Sequence, residues 1–294
     1  MVRQNKTKEF YHKLDLESDF DYISFMSTDL NSLITCLKTI APPNLAADWD
    51  NVGLLLEGTE CRDIHRVFLC IDLTHAVLDE ALEAKADAII AYHPPIFGGV
   101  KRLTRRSPGQ HLLIRLIEAG ISVWSPHTAL DAAEAGLCDW LLDGVGEMKE
   151  REAIEPCPAD PDNPKVGMGR SGRLTKPTSL EDLVATVKAF LGLEYVRVAT
   201  AQRHAEGKPI KKVAVCPGAG GSLFSSVRFT DLLVTGEMRH HDVLSRLAAN
   251  TSVILTDHTN TERGYLPILA QRISEAVEVE AIVSKIDADP LVVI

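Results

Sequence analysis

Apolar positions along the chain alternate between a helical spacing and short continuous runs. Leu30, Leu33, Ile34, Leu37 and Ile40 recur every three or four residues behind Ser27, Thr28 and Asp29. That spacing predicts a capped amphipathic helix, and Pro42 and Pro43 end it. A repeated βα rhythm follows. Strands are expected at 66–72 (RVFLCID), 87–92 (DAIIAY) and 121–125 (ISVWS), with helices at 74–86, 110–119 and 132–142. Short apolar runs separated by helices are the pattern of a parallel sheet.

The rhythm returns at 212–216 (KVAVC), 231–235 (DLLVT) and 252–256 (SVILT), with helices at 240–249 and 262–276 and a last strand at 277–283. Residues 151–164, rich in Pro, Asp and Glu, read as a linker, and 178–191 as one more capped helix. The chain is therefore expected to be an α/β protein of two similar halves with mostly parallel sheets. Its expected divisions are an extension at 1–26, an N-terminal half at 27–150, a connecting segment at 151–211 packed with the second half, and a C-terminal half at 212–294.

Composition narrows the class. Of 294 residues, 45% are hydrophobic and 24% charged, enough for a sizeable core. The net charge of -10 argues against a broad nucleic-acid surface. No apolar run reaches the length of a membrane helix. The six cysteines form no CxxC pair, which fits reduced thiols in the cytosol. Residues 1–26 lack an apolar signal core and read as a loose extension before the helix cap.

The candidate chemistry gathers where the strands end. His93 follows DAIIAY. His127 and Asp131 follow ISVWS, and His258 and Glu262 follow SVILT. In a parallel sheet these positions share the carboxyl edge, where open α/β sheets place their ligands. Each acid lies four residues after its histidine, so on a helix the two would share a face. Glu237 and His241 repeat that spacing after DLLVT. Each residue alone reads more simply, as a strand end, a surface ion pair or a helix cap. Their coincidence at one edge points to a divalent-metal site, and imidazole with carboxylate suits zinc, manganese, iron or nickel. Two further stretches could hold an anion. One is the turn CPGAGGS (216–222), which also reads as a plain tight turn. The other is the basic run Lys101, Arg102, Arg105 and Arg106, which also reads as a solvated loop.

Five motifs then occur in a familiar order: ADWDNVGL (47–54), YHPPIF (92–97), SPHTALD (125–131), TGEMRHH (235–241) and DHTNTE (257–262). In these the chain resembles the Nif-three-like family, whose members are often labelled type two homologues of GTP cyclohydrolase I. The resemblance runs from about Leu30 to the C-terminus. It implies a dinuclear metal site in a cleft between two α/β halves, with His93, Asp131, His258 and Glu262 as ligands for one or two ions per subunit. It also implies a toroidal hexamer. Many bacterial members have a histidine where this chain has Tyr92, so the resemblance implies a weaker second ion here.

Two functions follow as expectations. The first is a metal-dependent hydrolase acting on a nucleotide or another phosphorylated metabolite, with His127 or His241 as general acid or base. The second is a non-enzymatic metal-binding scaffold working through protein partners. The cyclohydrolase label does not settle the reaction, because fold is not function.

Overall fold

Leu33, Cys36, Leu37 and Ile40 form the buried stripe of α1 (Leu30–Ile40), and Asp29 caps it by accepting from the backbone N–H of Asn31 and Ser32. The computed structural model describes residues 27–58 and 63–293; the expected extension at 1–26 lies outside them. A short strand β1 (Gly53–Leu56) follows, then β2 (Arg66–Cys70), α2 (His75–Glu83), β3 (Ala88–Ala91), α3 (Pro108–Ala119) and β4 (Ser122–Ser125). Strands β3 and β4 are buried at every position, as a strand covered on both faces must be.

After β4 the chain makes α4 (His127–Ala132) and α5 (Leu137–Asp143). It then enters β5 (Met148–Pro156), β6 (Gly167–Thr178), α6 (Leu180–Leu191), β7 (Arg197–Ala199), α7 (Gln202–Ala205) and β8 (Ile210–Cys216). Strand β9 (Leu232–Thr235), α8 (His240–Ala248), β10 (Ser252–Leu255), α9 (Leu266–Val277) and β11 (Glu280–Val283) complete it.

Among the described residues two sheets form, in the orders β1-β4-β3-β2-β11 and β5-β6-β8-β9-β10-β7. The centre of each is three parallel strands, β2, β3 and β4 in one and β8, β9 and β10 in the other. The fold is the expected α/β pair of halves, but only the first sheet is mostly parallel; in the second, β5–β6, β6–β8 and β10–β7 pair antiparallel. In the first half, α1 and α9 cover one face and α2 and α3 the other. In the second, α5 and α6 cover one face, while Leu223, Phe224 and α8 lie against the other. The described cysteines, Cys36, Cys70, Cys138, Cys157 and Cys216, are buried and unpaired.

Three placements differ from the sequence reading. Residues 148–156, which overlap the linker expected at 151–164, are the outermost strand of the second sheet, paired antiparallel with β6. Their charged pattern follows from that edge position, where little of the strand is covered. The last strand, expected in the second half, instead pairs parallel with β2, and α9 packs on α1. Finally, the helix expected at 262–276 begins only at Leu266. Two 3-10 turns, Thr259–Thr261 and Arg263–Tyr265, precede it. No described helix is long and apolar enough to cross a membrane.

Candidate metal centre

The carboxyl ends of the two parallel cores supply the chemistry. Strands β2, β3 and β4 lead to Asp72, His93 and His127. Strands β8, β9 and β10 lead to Gly218, Glu237 and His258. His93, His258 and Glu262 offer donor atoms that all lie within 4.8 Å of one another. His93 Nε2 is 3.5 Å from Glu262 Oε2, and His258 Nε2 is 3.4 Å from Oε1 of the same carboxylate. Donors about 2.1 Å from one tetrahedral ion stand roughly 3.4 Å apart, so this spacing suits a shared cation.

Each imidazole is fixed from behind by a carboxylate. His93 Nδ1 lies 2.9 Å from Asp72 Oδ1, His258 Nδ1 2.5 Å from Glu237 Oε1, and His127 Nδ1 2.7 Å from Asp50 Oδ1. A carboxylate only accepts, so each Nδ1 carries the hydrogen and donates. The lone pair of the neutral ring is then left at Nε2. This carboxylate–histidine arrangement orients metal ligands and raises their basicity. The rings crowd together, with centroids 5.4 Å apart for His93 and His258 and 5.5 Å for His93 and His127.

Charge in the pocket calls for a cation. The Glu262 side chain is 2% exposed, and its Oε2 has no hydrogen-bond partner. A bare buried carboxylate oxygen is costly unless something positive faces it. Burial opposes a charge on His93, but the hydrogen bond to Asp72 and the attraction of the Glu262 carboxylate facing Nε2 outweigh that and hold it up to about 10. Thus in the metal-free protein a proton on His93 partly offsets the carboxylates of Asp72 and Glu262. The donor set, two imidazoles and a carboxylate, fits a borderline divalent ion.

Asp131 lies beside this trio rather than within it. It is buried and accepts a hydrogen bond from the Tyr92 hydroxyl at 2.7 Å. Burial pushes its pKa up to about 7, against the Tyr92 bond and the nearby His127. Burial and then Asp131 push the Tyr92 phenol far above its ordinary value, so it serves as a donor to Asp131. His241 sits elsewhere, exposed on α8 with its ring edge-on to His240.

The glycine-rich turn is a tight turn pressed against the donors. Its Gly218 and Gly220 N–H groups donate to Thr261 and Thr235 hydroxyls, which occupies two donors a phosphate would need. Gly218 has φ +58°, and a Cβ there would meet His258 Nε2 at 2.7 Å and Glu262 Oε1 at 2.9 Å. Only glycine leaves the donor space open.

The family model described as Duf34/NIF3 (NGG1p interacting factor 3) matches residues 28–290. The chain belongs to the Duf34/NIF3 family. The NIF3 homolog of Schizosaccharomyces pombe is 42% identical over 265 residues, covering 87% of this chain and 94% of its own. The NGG1-interacting factor 3 of Saccharomyces cerevisiae is 39% identical, covering 90% and 96%. Among solved structures, a Staphylococcus aureus hypothetical protein is similar at TM-score 0.76 and 26% identity, covering 90% of this chain and 99% of that one. A Bacillus cereus protein related to NIF3 shares the fold at TM-score 0.80 and 18% identity.

Sequence reasoning for this NIF3 chain missed the carboxylates behind the rings. Asp72 ends a parallel strand just as His93 does, and that shared position was the available signal. Asp50 lies in the ADWDNVGL motif but far in sequence from His127. Glu237 was paired by spacing with His241, whereas it holds His258.

Proposed function

We propose that the chain is a metal-dependent hydrolase acting on a nucleotide or another phosphorylated metabolite. The observation that carries this reading is the buried Glu262 oxygen with no hydrogen-bond partner, facing an imidazole whose other nitrogen is already held. His93, His258 and Glu262 would hold the ion, with Asp131 and His127 beside them. A bound divalent ion supplies Lewis acidity and brings the pKa of a water toward neutrality. The residues around it then do three things. Asp72 and Glu237 fix the donor rings. Tyr92 restrains Asp131. His127, its Nδ1 hydrogen given to Asp50, presents Nε2 as a proton acceptor next to the donors.

The test is reconstitution with manganese or zinc, followed by assay against a panel of nucleotides and phosphoesters beside Glu262→Gln. Metal-dependent turnover should appear and fall by about a hundredfold or more in the variant, an effect of the size expected when a buried ligand charge is removed. Tight metal binding with no turnover on the panel would instead favour a partner-binding role. That second reading draws on the S. cerevisiae relative, whose name describes it as an interacting factor. We also infer a ring of six subunits, checked by light scattering, with a mass near six times 32.2 kDa expected.

A further inference from the structure

Three consecutive residues, Trp49, Asp50 and Asn51, serve three parts of the site at once. The Asp50 carboxylate, 0% exposed, binds His127 Nδ1 at 2.7 Å and the Thr128 hydroxyl at 2.5 Å. The Asn51 amide donates to the Ile96 carbonyl at 2.5 Å and so holds the loop that carries Phe97. Trp49 lies between, its ring 6.0 Å from His127, edge-on, and 6.1 Å from Phe97 at an interplanar angle of 48°. Yet Trp49 is 63% exposed and Phe97 57%. Two large rings at the mouth of a polar site are thus held from a buried Asp50 and a half-buried Asn51 and left open to solvent. Exposed aromatic surface next to a site marks a place for a ligand. The loop continues past Phe97 through Gly98 and Gly99, which have open space around them, to exposed Lys101 and Arg102.

We propose that Trp49 and Phe97 form the ring-binding rim of the metal centre, and that the ligand taken there is a planar heteroaromatic group carrying an anion. This rests on the hydrolase reading and narrows its substrate to the nucleotide class. The indole offers a stacking face, and the tilted Phe97 ring walls one side. The positive loop matches the sign of a phosphate, and the small phosphorylated metabolites without a ring are disfavoured.

The experiment uses the full-length, manganese-loaded protein and two probes, adenosine 5′-monophosphate and ribose 5-phosphate, which differ by the ring. Trp49 is the exposed one of three tryptophans, so ring stacking is read by its fluorescence, and affinities are taken by calorimetry. The nucleotide should quench the fluorescence and bind about tenfold or more tightly than ribose 5-phosphate. Trp49→Leu should bring the two probes within about twofold, and Trp49→Phe, which keeps a ring, should restore most of the difference. Equal binding of both probes, binding of neither, or discrimination that survives in a folded Trp49→Leu would overturn the proposal. So would a loss of oligomeric mass in Trp49→Leu, which would make the ring a contact between copies. Metal content, measured separately, decides the underlying reading. A protein that prefers the nucleotide but holds no metal would keep the rim and sink the hydrolase.

Discussion

At His93 two opposing effects meet. Burial disfavours its positive charge, and the hydrogen bond to Asp72 with the facing Glu262 carboxylate favours it more, which holds its pKa up to about 10 from 6.5. Asp131 is pushed by burial from 3.8 up to about 7. His93 keeps a proton near neutral pH that a metal ion must displace, and a cation next to Asp131 favours loss of its proton as well. Metal affinity should therefore rise from about pH 6 to about pH 8, by up to roughly tenfold per unit for each proton released. Stability of the metal-free protein runs the other way. The His93 contribution is complete below its unfolded value of 6.5 and is lost as pH rises through about 10. The Asp131 term falls as pH rises from 3.8 through about 7, because the folded state binds the extra proton. Chelator competition at stepped pH checks the first claim, and an affinity that is flat or falls with pH would contradict it. Gly218 gives the steric counterpart. In Gly218→Ala the new methyl sits at 2.7 Å from His258 Nε2 on a backbone at φ +58°. Metal affinity should drop about tenfold or more. Stability should drop by about 1–2 kcal/mol from the left-handed conformation alone, as calorimetry and chemical denaturation would show.

At the level of elements, what was legible depended on burial. Strands β2, β3, β8, β9 and β10 are covered on both faces, and their apolar runs announced them. The hairpin β5–β6 was not legible, because β5 is an edge strand and the adjoining β6 buries a charge. Arg170, 1% exposed, donates to Asp139 and to the carbonyls of Ala132, Ala133, Lys165, Gly167 and Gly169. An arginine in a GMGRSG stretch reads as surface unless its acceptors are known, and these come from the end of α4, from α5, and from β6 and the turn that leads into it. The same ties join the second sheet to the turn behind Asp131. Arg170→Met fills the space but takes the guanidinium from Asp139 and five carbonyls. It should cost about 3–5 kcal/mol, the range for removing one partner of a buried pair, read as a lowered denaturation midpoint. A loss under about 1 kcal/mol would show that water replaces the guanidinium, as at an exposed ion pair.

On the scale of the whole molecule, the site exists only because two sheets meet, and local pattern carries no information on what sets their spacing. His93 comes from the first half, and His258 and Glu262 from the second. The segment after β11 spans the gap. Ser284 and the Lys285 N–H bind Glu80 of α2, which fixes the segment to the first half. Asp287 then accepts from the Ile71 N–H at 2.6 Å and from Arg263 at 2.7 Å, with the Asp72 N–H at 3.4 Å. Asp289 accepts from Thr259 at 2.9 Å. Asp287 thus grips the end of β2, beside the carboxylate that orients His93, and the turn that carries Glu262. That the last strand returns to the first sheet, against the sequence reading, is what brings this segment to the site. Asp287→Ala should weaken metal binding by about 10–100-fold, the usual effect of losing support behind the ligands. It also leaves Arg263 unpaired and will lower stability, so a control is needed. Leu183→Ala opens a cavity in the core of the second half, away from the donors, and should cost about 2–5 kcal/mol. Compared at a temperature where both variants remain folded, Leu183→Ala should keep the parent affinity and Asp287→Ala should not. The absorption spectrum of the cobalt-loaded protein adds a measure of ligand geometry that stability alone does not move, and it should change only in Asp287→Ala. Equal affinities and unchanged cobalt spectra in the two variants would mean that Asp287 supports the fold and not the spacing of the metal donors.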